Sequence, residues 1–138
     1  MRNEILNVVA SLVPTDERFK FLPKLFGESL MLVGENSIYR FMDQSSPDYN
    51  CAYWNYYELS NGGFYMAPAS PNELSLVLPG NYFDGKMSCD AAGITATLFV
   101  LCRLWEQFEN DRLATAYQKL HEYIRYHPES SKIYQAID

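Results

Sequence analysis

The sequence predicts an α+β fold: a small antiparallel β-meander of three or four strands, packed with helices from both the N-terminal and the C-terminal segments. Three observations lead there. Aromatic and β-prone residues, cut by Gly and Pro turn signals, run from Tyr53 to Met87. Apolar residues recur at helical spacing before and after that stretch. No repeat, low-complexity tract or Pro/Ser-rich linker divides the 138 residues, so one domain is expected over residues 1–138. With 48% hydrophobic and 20% charged residues, a chain of this length buries roughly 70% of its unfolded surface without needing disulfides or metal.

In chain order, Ile5, Val8, Val9 and Leu12 recur at helical spacing and Pro14 closes what reads as a short amphipathic helix. Arg2 before an apolar run faintly suggests a signal peptide, but Glu4 and Asn7 interrupt that pattern. Pro23 limits residues 16–26 to short helical turns, ended by Gly27. Leu30-Met31-Leu32-Val33 is a continuous apolar run that suits a buried strand, and Ile38, Tyr39, Phe41 and Met42 return to a helix stopped at Ser45-Ser46-Pro47. Tyr53 to Leu59 and Phe64 to Ala67 flank Ser60-Asn61-Gly62-Gly63, a strong hairpin signal because Asn and Gly tolerate positive φ. Leu74 to Leu78 and Tyr82 to Met87 supply two more strands, the latter with Asp84-Gly85 as a bulge or kink. Ser88 is an N-cap, with Asp90 in the first turn of a largely apolar helix through Trp105. Asn110 or Asp111 caps the next helix, whose stripe is Leu113, Tyr117, Leu120 and Ile124; Ile133, Tyr134 and Ile137 make a last short turn.

The net charge is −6, and its placement is uneven. Between Phe26 and Gly85 stand seven acids (Glu28, Glu35, Asp43, Asp48, Glu58, Glu73, Asp84) and one base, Arg40; elsewhere ten acids balance ten bases. No basic stripe exists to neutralise phosphates, so direct sequence-specific DNA binding is not expected. An acidic middle segment also raises the alternative of a DNA mimic that occupies the basic channel of a DNA-binding enzyme. Duplex DNA carries about one charge per 1.7 Å of axis, so six net charges are a poor copy. The cysteines Cys51, Cys89 and Cys102 have no CxxC spacing, which argues against a disulfide framework or zinc site and for the cytoplasm. Ala91 to Leu104 falls short of the roughly 20 residues of a membrane span, so no membrane partner is expected.

Catalytic patterns are missing from the sequence. His121 and His127 lack the i, i+4 spacing of a metal pair and read as surface residues. There is no Gly-rich phosphate loop, no GxSxG elbow, and no histidine near Cys51 in sequence. A binding protein rather than an enzyme is the expectation, and a monomer. What stands out is aromatic density: Tyr49, Tyr53, Trp54, Tyr56, Tyr57, Phe64, Tyr65, Tyr82 and Phe83 exceed what one sheet face needs. Some of them, with Asp48, Glu58 and Glu73, would then form an exposed patch for a protein partner, since Tyr and Trp are preferred interface anchors.

The residues also carry a resemblance. Asp48-Tyr49, Tyr53-Trp54 and the run Tyr57-Glu58-Leu59-Ser60-Asn61-Gly62-Gly63-Phe64-Tyr65-Met66-Ala67-Pro68 resemble the signature of the ArdB/KlcA antirestriction family. Asp90-Ala91-Ala92-Gly93-Ile94, Asp111-Arg112-Leu113, His127-Pro128-Glu129 and Ala136-Ile137-Asp138 resemble the remainder. The resemblance implies a small bacterial protein of plasmids or other mobile elements that inhibits host type I restriction-modification enzymes and is not a strong DNA mimic. It implies a compact α+β fold, no cofactor and the restriction complex as partner. Candidate partner-binding residues are Asp48, Tyr53, Trp54, Tyr57, Glu58 and Asn61, together with Asp138, whose carboxylate lies on a tail.

Overall fold

In the computed structural model, which describes residues 7–50 and 53–138, the elements follow in the order β1 (Ala10–Leu12), a 3-10 turn (Thr15–Lys20), α1 (Phe21–Phe26), α2 (Met31–Ser45), β2 (Trp54–Leu59), β3 (Phe64–Pro68), β4 (Glu73–Leu78), a 3-10 turn (Pro79–Asn81), β5 (Phe83–Ser88), α3 (Cys89–Phe108), α4 (Asp111–Ile124) and α5 (Ser130–Ile137). The class is α+β, as expected. The four strands between Trp54 and Ser88 form two antiparallel hairpins that belong to two sheets: β1-β2-β3, and β4-β5.

The long apolar helix α3 sits between these sheets and the remaining helices. Ser88 caps it, its Oγ accepting the Ala91 N–H at 3.1 Å. From Cys89 to Leu101 nearly every side chain is buried, because strands cover one side of α3 while α2, α4 and α5 cover the others. Its closest approach is to β3. A Cβ on Gly93 would lie 2.3 Å from the Ala67 Cβ and 2.4 Å from both the Ala67 Cα and the Met66 carbonyl oxygen, so only glycine lets helix and strand meet there. The buried hydroxyls Thr95 and Thr97 bond back to the carbonyls of Ala91 and Gly93, at 2.9 and 2.8 Å, and so cost little inside this core.

Four local expectations are corrected. Val8, Val9 and Leu12 do not lie on a helix, and Ile5 lies outside the described residues. The unpaired edge of β2 captures the segment as β1, with Ala10 opposite Leu59 and the Val13 N–H on the Tyr56 carbonyl at 2.8 Å. Leu30–Val33 is not a strand but the start of α2. The buried positions Leu30, Gly34, Ile38, Phe41, Met42 and Ser45 keep helical spacing, while Leu32 and Val33 face outward. Gly34 hid this stripe; it is glycine because the Phe26 ring lies 2.6 Å from where its Cβ would be. Asp84-Gly85 makes no bulge, since β4 and β5 pair one to one from Glu73↔Ser88 to Leu78↔Phe83. Gly85 instead leaves room for the Phe83 ring. Finally, His127 is buried rather than on the surface.

Candidate functional site

Beside the N-terminus of α3, the signature strand, the helix start and the α4–α5 connection meet in one polar network. Tyr65 on β3 is 1% exposed and donates its hydroxyl to Asp90 Oδ1 at 2.8 Å. Asp90 Oδ2 lies 2.7 Å from His127 Nε2, and His127 Nδ1 accepts the Glu129 N–H at 3.0 Å. The second contact fixes the tautomer: Nδ1 bears the lone pair, so Nε2 carries the proton and donates it to Asp90. Glu129 then turns back on the helix cap, accepting the Ser88 N–H at 2.9 Å through Oε1 and the Ser88 hydroxyl through Oε2. The Tyr65 ring is sandwiched by Tyr57 at 4.6 Å and Tyr123 at 5.9 Å, both stacked. Burial, and next the Asp90 charge, raise the Tyr65 hydroxyl far above an ordinary tyrosine. Tyr57 and Tyr123 are raised the same way, chiefly by burial.

An Asp–His pair invites comparison with a catalytic dyad, but both ring nitrogens are spent. Nε2 faces Asp90 and Nδ1 faces a backbone N–H, so among the described residues no hydroxyl or thiol nucleophile stands against the imidazole. Nor is any group of three or more His, Cys, Asp or Glu side chains placed to hold a metal among the described residues. The arrangement orients structure: it ties β3 to α3 and α3 to the start of α5.

Two clefts open next to this network and share Ser70. One, of about 340 Å³, is lined by Asn55, Tyr57, Pro68, Ala69, Ser70, Pro71 and Asp90. The other, of about 630 Å³, is lined by Asp48, Asn50, Tyr53, Ser70, Asn72, Glu73, Leu74 and Cys89. Three of the sequence-predicted residues, Asp48, Tyr53 and Tyr57, therefore lie around one surface. Tyr53 is 54% exposed, and the Arg18 guanidinium covers its ring at 4.6 Å and the Tyr56 ring at 4.1 Å. Asp48 accepts the Ser46 hydroxyl at 2.8 Å and the Ser75 N–H at 3.0 Å, bonds that hold its carboxyl below the usual aspartate range.

The other predicted residues stand elsewhere. Trp54 is 3% exposed and donates its indole N–H to the Tyr49 hydroxyl at 2.8 Å, beneath the surface. Glu58 pairs with Lys24 at 3.3 Å in an exposed bridge. Asn61 is a fastener: its amide donates to the Lys119 carbonyl at 2.9 Å and to Glu122 Oε1 at 2.7 Å, while its Oδ1 accepts the Gly63 N–H at 2.9 Å. Asp138 lines a third cleft with Tyr82, Lys86 and Lys132. Cys51 lies outside the described residues; Cys89 is buried and Cys102 half-buried. Among the aromatics, Trp54, Tyr56, Tyr65 and Phe83 are buried, Tyr49, Tyr57 and Phe64 half-buried, and Tyr53 and Tyr82 exposed. Reading the sequence alone missed His127 and Glu129 as network members; the local signal is His127-Pro128-Glu129, a helix stop followed by an acid.

Comparison with known proteins agrees with this architecture. The family profile described as "Antirestriction protein" matches residues 47–138. Two Escherichia coli proteins named antirestriction protein KlcA are 44% and 41% identical, each over 95% of this chain and 95% and 94% of their own. A solved structure matches all of this chain and all of its own with a TM-score of 0.88 and 45% identity. It comes from work on KlcA and ArdB reporting a novel fold and antirestriction activity against type I DNA restriction systems in vivo but not in vitro. On profile, identity and fold together, the chain belongs to the antirestriction protein family.

Proposed function

We propose that this protein relieves type I DNA restriction in the cell, protecting incoming plasmid or mobile-element DNA, and that it does so by binding the restriction complex rather than by catalysis. The observation that carries the reading is whole-chain similarity to a solved KlcA/ArdB structure whose proteins have that activity in vivo. The spent imidazole of His127 supports a binding role over an enzymatic one. Residues 1–138 act as one domain, monomeric and without cofactor, in the cytoplasm; the core running from Val8 to Ala136 supports the first of these, and no described helix is long and apolar enough to cross a membrane. The contact surface takes in Asp48, Tyr53 and Tyr57, with Glu58 and Asn61 on the same hairpin, Trp54 supporting from beneath, and Asp138 as a separate electrostatic contact.

The acids favour this reading over DNA mimicry. The seven acids of the middle segment are dispersed over α2 and its approach, the following loop, β2, β4 and β5, and three of them are committed: Glu35 to Tyr39, Asp48 to Ser75 and Glu58 to Lys24. The test is plating of unmodified phage on a type I restricting host with and without the protein, scoring modification in parallel. Restored plating with modification intact is expected. Loss of both activities would point to a mimic filling the DNA-recognition groove, and unrelieved restriction by the folded protein would overturn the reading.

A further inference from the structure

We propose that the cleft between Tyr57 and Asp90 is a receptor for an arginine side chain of the partner protein; this rests on the binding role proposed above and names the chemistry of its contact. Among the described lining residues of that cleft Asp90 is the single charged one, and its side chain is 36% exposed although its partner His127 is buried. Each Asp90 oxygen already accepts one hydrogen bond, Oδ1 from Tyr65 and Oδ2 from His127. The carboxylate is thus held rigid, and each oxygen keeps a lone-pair direction for a further donor. A planar guanidinium supplies two parallel donors at the matching spacing, which an ammonium does not.

The remaining walls fit the same occupant. Tyr57 is stacked on Tyr65 at 4.6 Å and held at its hydroxyl by Asn55 at 3.3 Å, giving a fixed aromatic wall of the kind guanidinium groups pack against. Pro68, Ala69 and Pro71 offer apolar surface to an aliphatic stem, and a volume of about 340 Å³ suits one long side chain. Charge selects against the rivals. Across this cleft and its neighbour at Ser70, the described lining residues include three acids, Asp48, Glu73 and Asp90, and no base, which repels phosphate and anionic ligands. A metal lacks ligands, since no cluster of three or more His, Cys, Asp or Glu side chains occurs among the described residues.

The experiment titrates the isotope-labelled protein with acetyl-arginine-amide and, separately, with its uncharged isostere acetyl-citrulline-amide, following amide and side-chain resonances. Expected are saturable shifts centred on Asn55, Tyr57, Ala69 and Ser70 with arginine, at least roughly tenfold weaker with citrulline, as for loss of a charged partner. Asp90→Asn, which retains an oxygen for Tyr65, should abolish the preference. Ala69→Arg, at an exposed position on the rim, should block the cleft without touching the network. Equal response to both ligands, or shifts elsewhere, overturns the proposal. In the plating assay the account expects Ala69→Arg to lose relief that the parent chain gives. If the parent relieves restriction and Ala69→Arg relieves it equally, the cleft is not the partner's contact; if the parent itself fails, the function reading falls while the titration still judges the cleft.

Discussion

The two hairpins flank the same helix yet are held by different physics. The β2–β3 hairpin is fixed first by steric fit, since β1 covers one edge and Gly93 of α3 lies against Ala67 and Met66, and polar bonds from Asn61 to α4 and Tyr65 to Asp90 add to it. The β4–β5 hairpin buries Leu74, Leu76, Leu78, Phe83 and Met87 inward, but side chains fasten its edges. Asp48 takes the Ser75 N–H, Glu129 takes the Ser88 N–H, and Asn81 donates to the Ala136 carbonyl at 2.7 Å. Its tip is open: Tyr82 is 98% exposed and holds φ +54°, a conformation non-glycine residues seldom adopt. The contrast teaches that the signature hairpin tolerates no added volume, whereas the second hairpin depends on separable polar clasps.

The largest effect should come from breaking the steric side. Gly93→Ala forces a methyl into backbone atoms of β3 that have no flexible neighbour to move, and stability should fall by about 3 kcal/mol. Urea denaturation measures it; a loss under a few tenths would show that helix and strand can slide apart.

Next comes the network that joins the two regions. Tyr65→Phe leaves Asp90 Oδ1 without its donor and should cost about 1 kcal/mol at neutral pH, again by denaturation. It should also change the alkaline limb. The folded-state pKa of Tyr65 is raised, so its stabilisation is complete below the ordinary tyrosine value of about 10 and is lost as pH rises beyond it, at about 1.4 kcal/mol per pH unit. Tyr39, Tyr56, Tyr57, Tyr117 and Tyr123 are raised too, mainly by burial, so the parent should unfold steeply in alkali and Tyr65→Phe less steeply. An unchanged slope would mean that Tyr65 ionises freely in the fold.

The smallest effect belongs to the clasp at Asp48. Its folded pKa is depressed, so the carboxylate's contribution is present above the usual value of about 3.9 and fades as pH falls through the folded one. Asp48→Asn should lower stability slightly at neutral pH, with the difference from the parent vanishing in acid. Amide exchange at Ser75 should quicken while β2–β3 amides stay protected; quickening in both hairpins would erase the distinction between them.

Local chemistry was legible in the sequence where one residue acts alone. Asn61-Gly62-Gly63 sets its own turn, Ser88 and Asn110 cap their own helices, and Gly27 ends α1 at φ +82°. Legibility failed where a distant partner decides. Val8 to Val13 has helical spacing, but the edge of β2 offers more bonds than a frayed helix would. Gly34 and Ser45 complete the inner stripe of α2 without being apolar, so Leu30–Val33 looked like a strand. His127 is buried by a contact 37 residues away in the chain, which no local spacing encodes. The same limit applied to the candidate surface: Tyr53 and Tyr57 were visible as surplus aromatics, whereas their meeting with Asp90 and Ser70 comes from the fold.

The central claim is that inhibition works through a shaped surface rather than total negative charge. The most direct measurement is phage plating on a type I restricting host with a chain carrying Glu28→Gln, Asp43→Asn and Asp84→Asn together, three exposed acids away from the Tyr57–Asp90 cleft. The account predicts relief of restriction equal to that of the parent. Relief that disappears while the protein remains folded would contradict it and return the acidic middle of the chain to the centre of the mechanism.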